Sequence, residues 1–382
     1  MEIIIGGDLV PTKSNRKHFV EGNAQELLGT ELHDRMQCAN CRVFNLEVPL
    51  TDKVSPINKC GPNLIAPTDT IVGIKKIPAD LLILANNHIL DQDEQGFLST
   101  IKVLQDNNIA YVGAGMDVEE ASKPFVLGEQ GIKVGFYACA EHEFTIATKN
   151  TAGANPFDAL TSFNHIKNLK EQCDFVIVLY HGGKEQYRFP SPNLQKTCRG
   201  FVDSGADLIV CQHSHCIGAY ELYNGSTIVY GQGNFIFDDS DNEYWQTSLL
   251  ISLIIERNEY EVKYIPIVKQ GNKIRMADQQ ESDEIMKAFH HRSVQIQDIN
   301  FIEKEYKIFA TSMFSNYLSI LHGRNVFFRV LNKLSKHQYV KKLYSKQSLT
   351  VIQNVIECEA HRELLLAGLK STLKELERME GQ

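Results

Sequence analysis

Ala206 to His215 reads Ala-Asp-Leu-Ile-Val-Cys-Gln-His-Ser-His, an apolar run that stops at two imidazoles one residue apart. Such a β-branched run predicts a buried strand. The loop beyond a strand's carboxyl end is where α/β proteins place ligands. Imidazole is the commonest protein ligand for a metal, and two at i and i+2 reach one site only where the backbone turns sharply. The arrangement recurs along the chain. Phe175 to Tyr180 is fully apolar and ends at His181-Gly182-Gly183. Asp80 to Ala85 ends at Asn86-Asn87-His88, with Asp91 close behind. Arg42 to Leu46 ends at Glu47, and Glu2 to Gly7 ends at Asp8. Glycines beside Asp8 and His181 leave room for a cation or a substrate. Carboxylate and amide oxygens with imidazole nitrogens suit first-row divalent metals. A shared carboxylate suits two ions ~3.5–4 Å apart. His88, next to Asn87, can face a substrate, with Asp91 orienting its ring. Glu185 and Arg188 follow His181 and stand as substrate-binding candidates, as does Asn234 in the loop Gly231-Gln232-Gly233-Asn234-Phe235.

Strands that end in ligands need helices between them to return the chain. Helical patterns are expected over Lys13–Gly29, Gly96–Asn107, Asp158–Cys173 and, started by Pro190 and Pro192, through Phe201. In the second of these, Phe97, Ile101 and Leu104 share one face. Ile109–Gly113 reads as a further strand. Phe125–Cys139 reads as a hairpin turning at Glu129-Gln130-Gly131. Gly218–Tyr230 reads as a second, turning at Asn224-Gly225, a type I′ signal. Leu249–Val268 reads as two more strands. Strand alternating with helix is an α/β pattern.

The chain has 382 residues, 43% of them hydrophobic, and a net charge of −8. That length fits one large domain or a domain with an appendage. The charge gives no pull toward nucleic acid. Met1-Glu2-Ile3-Ile4-Ile5-Gly6 has neither the basic start nor the apolar core of a signal peptide. No apolar run approaches the ~20 residues of a membrane span. Nine scattered cysteines predict reduced thiols and a cytoplasmic location. Cys38-x-x-Cys41 has no second pair at zinc-site spacing.

These residues resemble the calcineurin-like metallophosphoesterase superfamily, and within it the CapA-type poly-γ-glutamate capsule-synthesis family. The resemblance lies in Gly7-Asp8, Asn45-Leu46-Glu47, Ala85-Asn86-Asn87-His88 with Asp91, His181-x-Gly183-x-Glu185, Gly205-Ala206-Asp207, His213-x-His215 and Gly233-Asn234-Phe235. It covers roughly the first 240 residues. It implies a four-layer α/β/β/α sandwich around two divalent metal ions, Mn, Fe or Zn, with Mn favoured. By the same resemblance Asp8, Glu47 and His215 would hold one ion. Glu47, Asn87, His181 and His213 would hold the other, with Glu47 bridging. His88 would contact the phosphoryl oxygens or protonate the leaving group. Two positions depart from the wider superfamily and match the CapA-type family: Val10 replaces a histidine, and Glu47 replaces an aspartate. Val10 leaves the Asp8 ion one ligand short, so that site is expected to be the weaker. The activity so implied is dinuclear-metal phosphoester hydrolysis on a phosphorylated or polyanionic substrate, linked to capsule or exopolymer synthesis. Its alternatives are a non-catalytic accessory role in binding an anionic polymer and metal-dependent cleavage of γ-glutamyl amide bonds.

The division is expected near residue 270, with a mostly helical appendage over 271–382. From about Ser282 the apolar residues Ile285, Phe289, Phe309, Met313, Tyr317 and Leu318 fall at helical spacings. Tyr306 to Ile356 holds no Asp or Glu, while Arg324, Arg329, Lys333, Lys336, Lys341, Lys342 and Lys346 lie within it. That asymmetry fits a solvated helix face balanced by acidic residues elsewhere in the fold, or else a docking surface for an anionic polymer or a membrane through residues 324–346.

Overall fold

The computed structural model describes residues 1–382 apart from 239–240, 257–258, 322–325, 336–337 and 381–382. In chain order its strands are β1 (Glu2–Val10), β2 (Cys41–Leu46), β3 (Leu81–Ile83), β4 (Ala110–Val112), β5 (Ala114–Gly115), β6 (Phe125–Glu129), β7 (Ile132–Ala140) and β8 (Gly153–Ala154). There follow β9 (Phe175–His181), β10 (Leu208–Gln212), β11 (Tyr220–Tyr223), β12 (Ser226–Val229), β13 (Ile236–Phe237), β14 (Thr247–Glu256), β15 (Glu259–Gln270) and β16 (Lys273–Met276).

Two sheets carry the fold. The first runs β16-β15-β14-β1-β2-β3-β4, with β13 pairing on the end of β1. The second runs β11-β12-β10-β9-β7-β6. β1 to β4 are mutually parallel, as are β7, β9, β10 and β12, so their carboxyl ends lie along one edge of each sheet.

The period-two alternation of β9 shows how the layers form. Phe175, Ile177 and Leu179 join one large core with Ile3, Val43 and Leu81 of the first sheet. Val176, Val178 and Tyr180 face the other way, toward Ile166, Leu194, Cys198 and Phe201 of the helices Ser162–Lys170 and Pro192–Asp203. Because both faces are covered, these strands are apolar throughout. Each fully buried Val, Leu or Ile contributes about 1.5–3 kcal/mol. On the first sheet, the short helices Arg16–Glu21, Ala24–Leu28 and Thr30–Gln37 add Phe19, Leu27, Leu32 and Met36 to the core. The order helix, sheet, sheet, helix is the expected α/β/β/α sandwich.

Several boundaries move. β1 continues to Val10 because β13 pairs with its end, Leu9 to Ile236 and Val10 to Phe237. The single helix expected over Lys13–Gly29 is two, because Gly22 (φ 70°) takes the left-handed conformation that ends the first. Both hairpins form as expected, with positive φ at Gln130-Gly131 and Asn224-Gly225.

The chain forms two compact units, Met1–Glu303 and Lys304–Gln382. The division expected at 270 therefore falls inside the first unit. β16 pairs with β15, and Phe289 of the helix Gln279–Gln295 is buried against Tyr220 and Tyr264. The described part of the second unit is helical, including Lys346–Glu357 and Glu359–Glu380. Among the described residues no helix is long and apolar enough to cross a membrane.

Candidate metal centre

The carboxyl ends of the two sheets bring the strand-end residues together. The first sheet supplies Asp8 in β1, Glu47 just past β2 and Asn87 beyond β3. The second supplies His181 at the end of β9, and His213 and His215 beyond β10. Both histidines past β10 have positive φ, 86° at His213 and 52° at His215. This is the sharp turn that the His-x-His spacing requires. It costs about 1–3 kcal/mol per residue, strain that concentrates at functional sites.

Glu47, His181 and His213 offer ligand atoms within 4.8 Å of one another, and so do Asp8, Glu47 and His215. Glu47 thus belongs to both groups. A third group, Glu185, His213 and His215, meets the same limit. His181 Nε2 lies 3.0 Å from Asn87 Oδ1 and 3.2 Å from Glu47 Oε1. His215 Nδ1 lies 3.2 Å from Asp8 Oδ2 and 2.8 Å from Asn234 Oδ1.

Glu47 decides what the pocket is for. It is fully buried, and neither carboxylate oxygen has a hydrogen bond. A carboxylate left so is prohibitively costly unless cations compensate it. Burial alone would raise its pKa, but the charges of His215 and His181 outweigh burial and hold Glu47 below the usual carboxylate range. Burial first, then His181 and His215, push His213 well below its ordinary value, leaving a neutral ring with a lone pair to give. Burial opposes protonation of His215 as well, yet Glu47 and Asp8 push it up to about 10. A divalent ion and a proton compete for that ring. Divalent metal ions fit this donor set, and their charge would compensate both carboxylates.

His88 lies beside the pocket. Its Nδ1 is 2.5 Å from Asp91 Oδ2, which also accepts from Leu64 N at 2.6 Å. The pair holds the ring as a working histidine is held. Lys59, whose side chain is 3% exposed, forms an ion pair with the other oxygen of Asp91. It also donates to Asn87 O at 3.3 Å. Arg188 is engaged away from the ligands: it donates to Ile217 O at 3.2 Å and stacks over Tyr244.

Sequence reasoning missed the supporting layer. Asn45 Nδ2 donates to Asp8 Oδ1 at 2.7 Å, and Asn86 Nδ2 donates to Asn45 Oδ1 at 3.0 Å. This amide chain ties β1, β2 and the loop after β3 at the level of the ligands. Asn45 and Asn86 stand within the quoted motifs, so the signal was present. Lys59 and Trp245, whose ring lies 4.8 Å from that of His215, sit in segments with no periodic pattern.

A sequence model of the bacterial capsule synthesis protein family PGA_cap matches residues 2–239. The capsule biosynthesis protein CapA of Bacillus anthracis is 32% identical over 182 residues, 46% of this chain and 44% of that protein. The PGA biosynthesis protein CapA of Bacillus subtilis is 33% identical over 174 residues, 44% of this chain and 46% of that protein. The matches thus span less than half the length of these relatives. A probable polyglutamine synthesis accessory protein of Mycobacterium tuberculosis is 26% identical over 183 residues, 44% of this chain and 48% of that protein. Among solved structures, a phosphatase from Mycoplasma pneumoniae aligns over 71% of this chain and 94% of its own, at 14% identity and a TM-score of 0.44.

Proposed function

We propose, from the premise that this chain belongs to the bacterial capsule synthesis protein family PGA_cap, that it is a metal-dependent phosphoester hydrolase serving capsule or exopolymer synthesis. The observation that carries the reading is the His88–Asp91 pair set against the buried Glu47 carboxylate, which belongs to two groups of potential ligand atoms. Simple retention of an anion does not require an oriented proton donor.

Two bound divalent ions would lower the pKa of a water and offset charge on an attacked phosphoryl group. Asp8, Glu47 and His215 would hold one ion; Glu47, Asn87, His181 and His213 would hold the other. The chain's own groups do the rest. Asp91 accepts from His88 Nδ1, which leaves Nε2 to face a phosphoryl oxygen or a leaving group. Lys59 and the Leu64 amide fix Asp91 in turn. Asn45 keeps the Asp8 carboxylate in one orientation. Glu185, grouped with His213 and His215, would line the entrance to the substrate. The nine cysteines are free, which supports a reducing, cytoplasmic setting.

One observation favours a second reading, an accessory role in holding an anionic polymer: the Mycobacterium tuberculosis relative bears an accessory-protein name. The test is hydrolysis of p-nitrophenyl phosphate and bis-p-nitrophenyl phosphate by the Mn²⁺-loaded protein. His88→Ala is expected to lower turnover about 10²–10⁴-fold with its metal content unchanged. Equal turnover in the variant, or none in the wild type, moves the assignment to the accessory role.

A further inference from the structure

We propose that Asn234 is a metal ligand, the one that takes the place of the histidine missing at Val10. This rests on the reading of the pocket as a two-metal centre, and it deepens that reading.

The geometry points to it in three ways. The first is the shape of the donor groups. Ligands at adjacent corners of an octahedron with bonds of about 2.1 Å lie ~3.0 Å apart. His181 Nε2, Asn87 Oδ1 and Glu47 Oε1 show 3.0 and 3.2 Å. His215 Nδ1, Asn234 Oδ1 and Asp8 Oδ2 show 2.8 and 3.2 Å. Each half of the pocket thus sets an imidazole nitrogen against an amide oxygen and a carboxylate oxygen, with His213 added in the second half and Glu47 shared by both. Asn234 stands to the first half as Asn87 stands to the second.

The second is the backbone. Asp8 and Val10 project to the same face of β1, because side chains on a strand alternate. Val10 is an apolar, buried residue that pairs with Phe237 of β13. That same pairing carries the loop before β13 to the level of Asp8, where Phe235 N donates to Asp8 O at 3.0 Å. Glycine makes the approach possible: a Cβ on Gly7 would lie 2.0 Å from Gly233 O. The strand that lacks an imidazole at position 10 thus gains an amide from its neighbour.

The third is the amide itself. Asn234 is 6% exposed, and its Nδ2 has no hydrogen-bond partner. A buried asparagine kept for structure would use both ends. Only the end facing His215 is engaged among the described residues.

The consequence is that the ion at Asp8 is not one ligand short. Mn²⁺ alone, titrated calorimetrically into the metal-free full chain with stoichiometry checked by elemental analysis, is the probe. Asn234→Ala is expected to weaken one of two Mn²⁺ sites at least ~10-fold and to leave the other unchanged. Asn234→Asp is expected to keep both, since a carboxylate oxygen replaces the amide oxygen. Val10→His is expected to change little in the wild-type chain and to restore the weakened site in Asn234→Ala. Two undiminished Mn²⁺ sites in Asn234→Ala overturn the proposal. So does a tenfold tightening by Val10→His in the wild-type chain, which would show a coordination position left open and Asn234 merely orienting His215. That measurement decides alone if Asn234→Ala does not fold. A wild-type chain that binds no Mn²⁺ overturns both the ligand and the two-metal reading beneath it. Binding without phosphoester hydrolysis overturns the hydrolase and supports the ligand.

Discussion

The unit Met1–Glu303 and the unit Lys304–Gln382 use apolar residues in opposite ways. In the first, runs such as Phe175–Tyr180 are buried on both faces, and polar residues appear where the strands end. Ligands up to 207 residues apart, Asp8 and His215, meet because parallel strands end on the same edge. In the second, the helix Glu359–Glu380 leaves Leu366, Leu369, Leu373 and Leu376 about half exposed. Lys333, Lys342 and Lys346 are exposed as well. One unit draws distant residues into a buried cluster; the other presents nearby residues on a surface. Chemistry that needs a low dielectric belongs to the first, and salt-sensitive association to the second. Variants in each unit should therefore fail in separate assays.

The largest effect is expected from Glu47→Gln. The side chains match in size, but the charge shared by both ligand groups is gone. Mn²⁺ affinity is expected to fall at least ~100-fold at both sites, beyond the 10–100-fold typical of groups that only support a ligand. The metal-free variant is expected to melt somewhat below wild type at neutral pH, because the carboxylate that balances the charges of His215 and His181 has been removed. The rise in melting temperature that Mn²⁺ gives the wild type should vanish. Full metal content in Glu47→Gln would remove the shared carboxylate from the centre.

Lys59→Met should come next. Asp91 is fully buried, and its Oδ1 has no partner other than this ammonium. Breaking such a pair costs about 3–5 kcal/mol, because one charge stays behind. Adding Asp91→Asn removes that charge, so the double variant should recover much of the loss. Urea unfolding measures both. A loss below about 1 kcal/mol in Lys59→Met would mean that the loop carrying Lys59 does not hold Asp91 in place.

Nearly all of the residues that the fold gathers around Glu47 were legible in the sequence as candidates, because strand ends mark them. An apolar, β-branched run announces a buried parallel strand, and the first polar residue beyond it must lie at the sheet's edge. Asp8, Glu47, Asn87, His181, His213 and His215 all lie at or within a few residues of such a strand's end. Lys59 follows no rule of this kind. It sits between Thr51 and Ala66 in a segment held by bonds such as Ile57 N to Asp91 O and Leu64 N to Asp91 Oδ2, which no periodicity encodes. The break at Gly22 and the extension of β1 to Val10 were illegible for related reasons. One depends on a single left-handed residue, the other on a partner strand whose paired residues lie 227 positions away, Leu9 with Ile236 and Val10 with Phe237. The boundary at Glu303 was missed because a helical pattern does not say which core its buried face joins.

The smallest effect, and the one that tests the other side of the contrast, concerns the basic stretch of the second unit. Residues 306–356 carry no acidic side chain to offset their lysines and arginines. Arg324 and Lys336 lie outside the described residues. Lys333, Lys342 and Lys346 lie within them and are exposed. Each lysine near an anionic surface contributes about 1 kcal/mol, and the attraction decays within a Debye length of ~10 Å at 0.1 M salt. The expected outcome is co-sedimentation with phosphatidylserine-containing vesicles at low salt that is lost at high salt. Lys333→Glu, Lys342→Glu and Lys346→Glu together should abolish it while two Mn²⁺ ions still bind. Glu47→Gln should do the reverse, sedimenting with vesicles and binding no metal. If the triple variant sediments like wild type, the lysines are a solvated helix surface. If it also loses metal, the two units do not act separately, and the contrast between a pocket and a presenting surface fails.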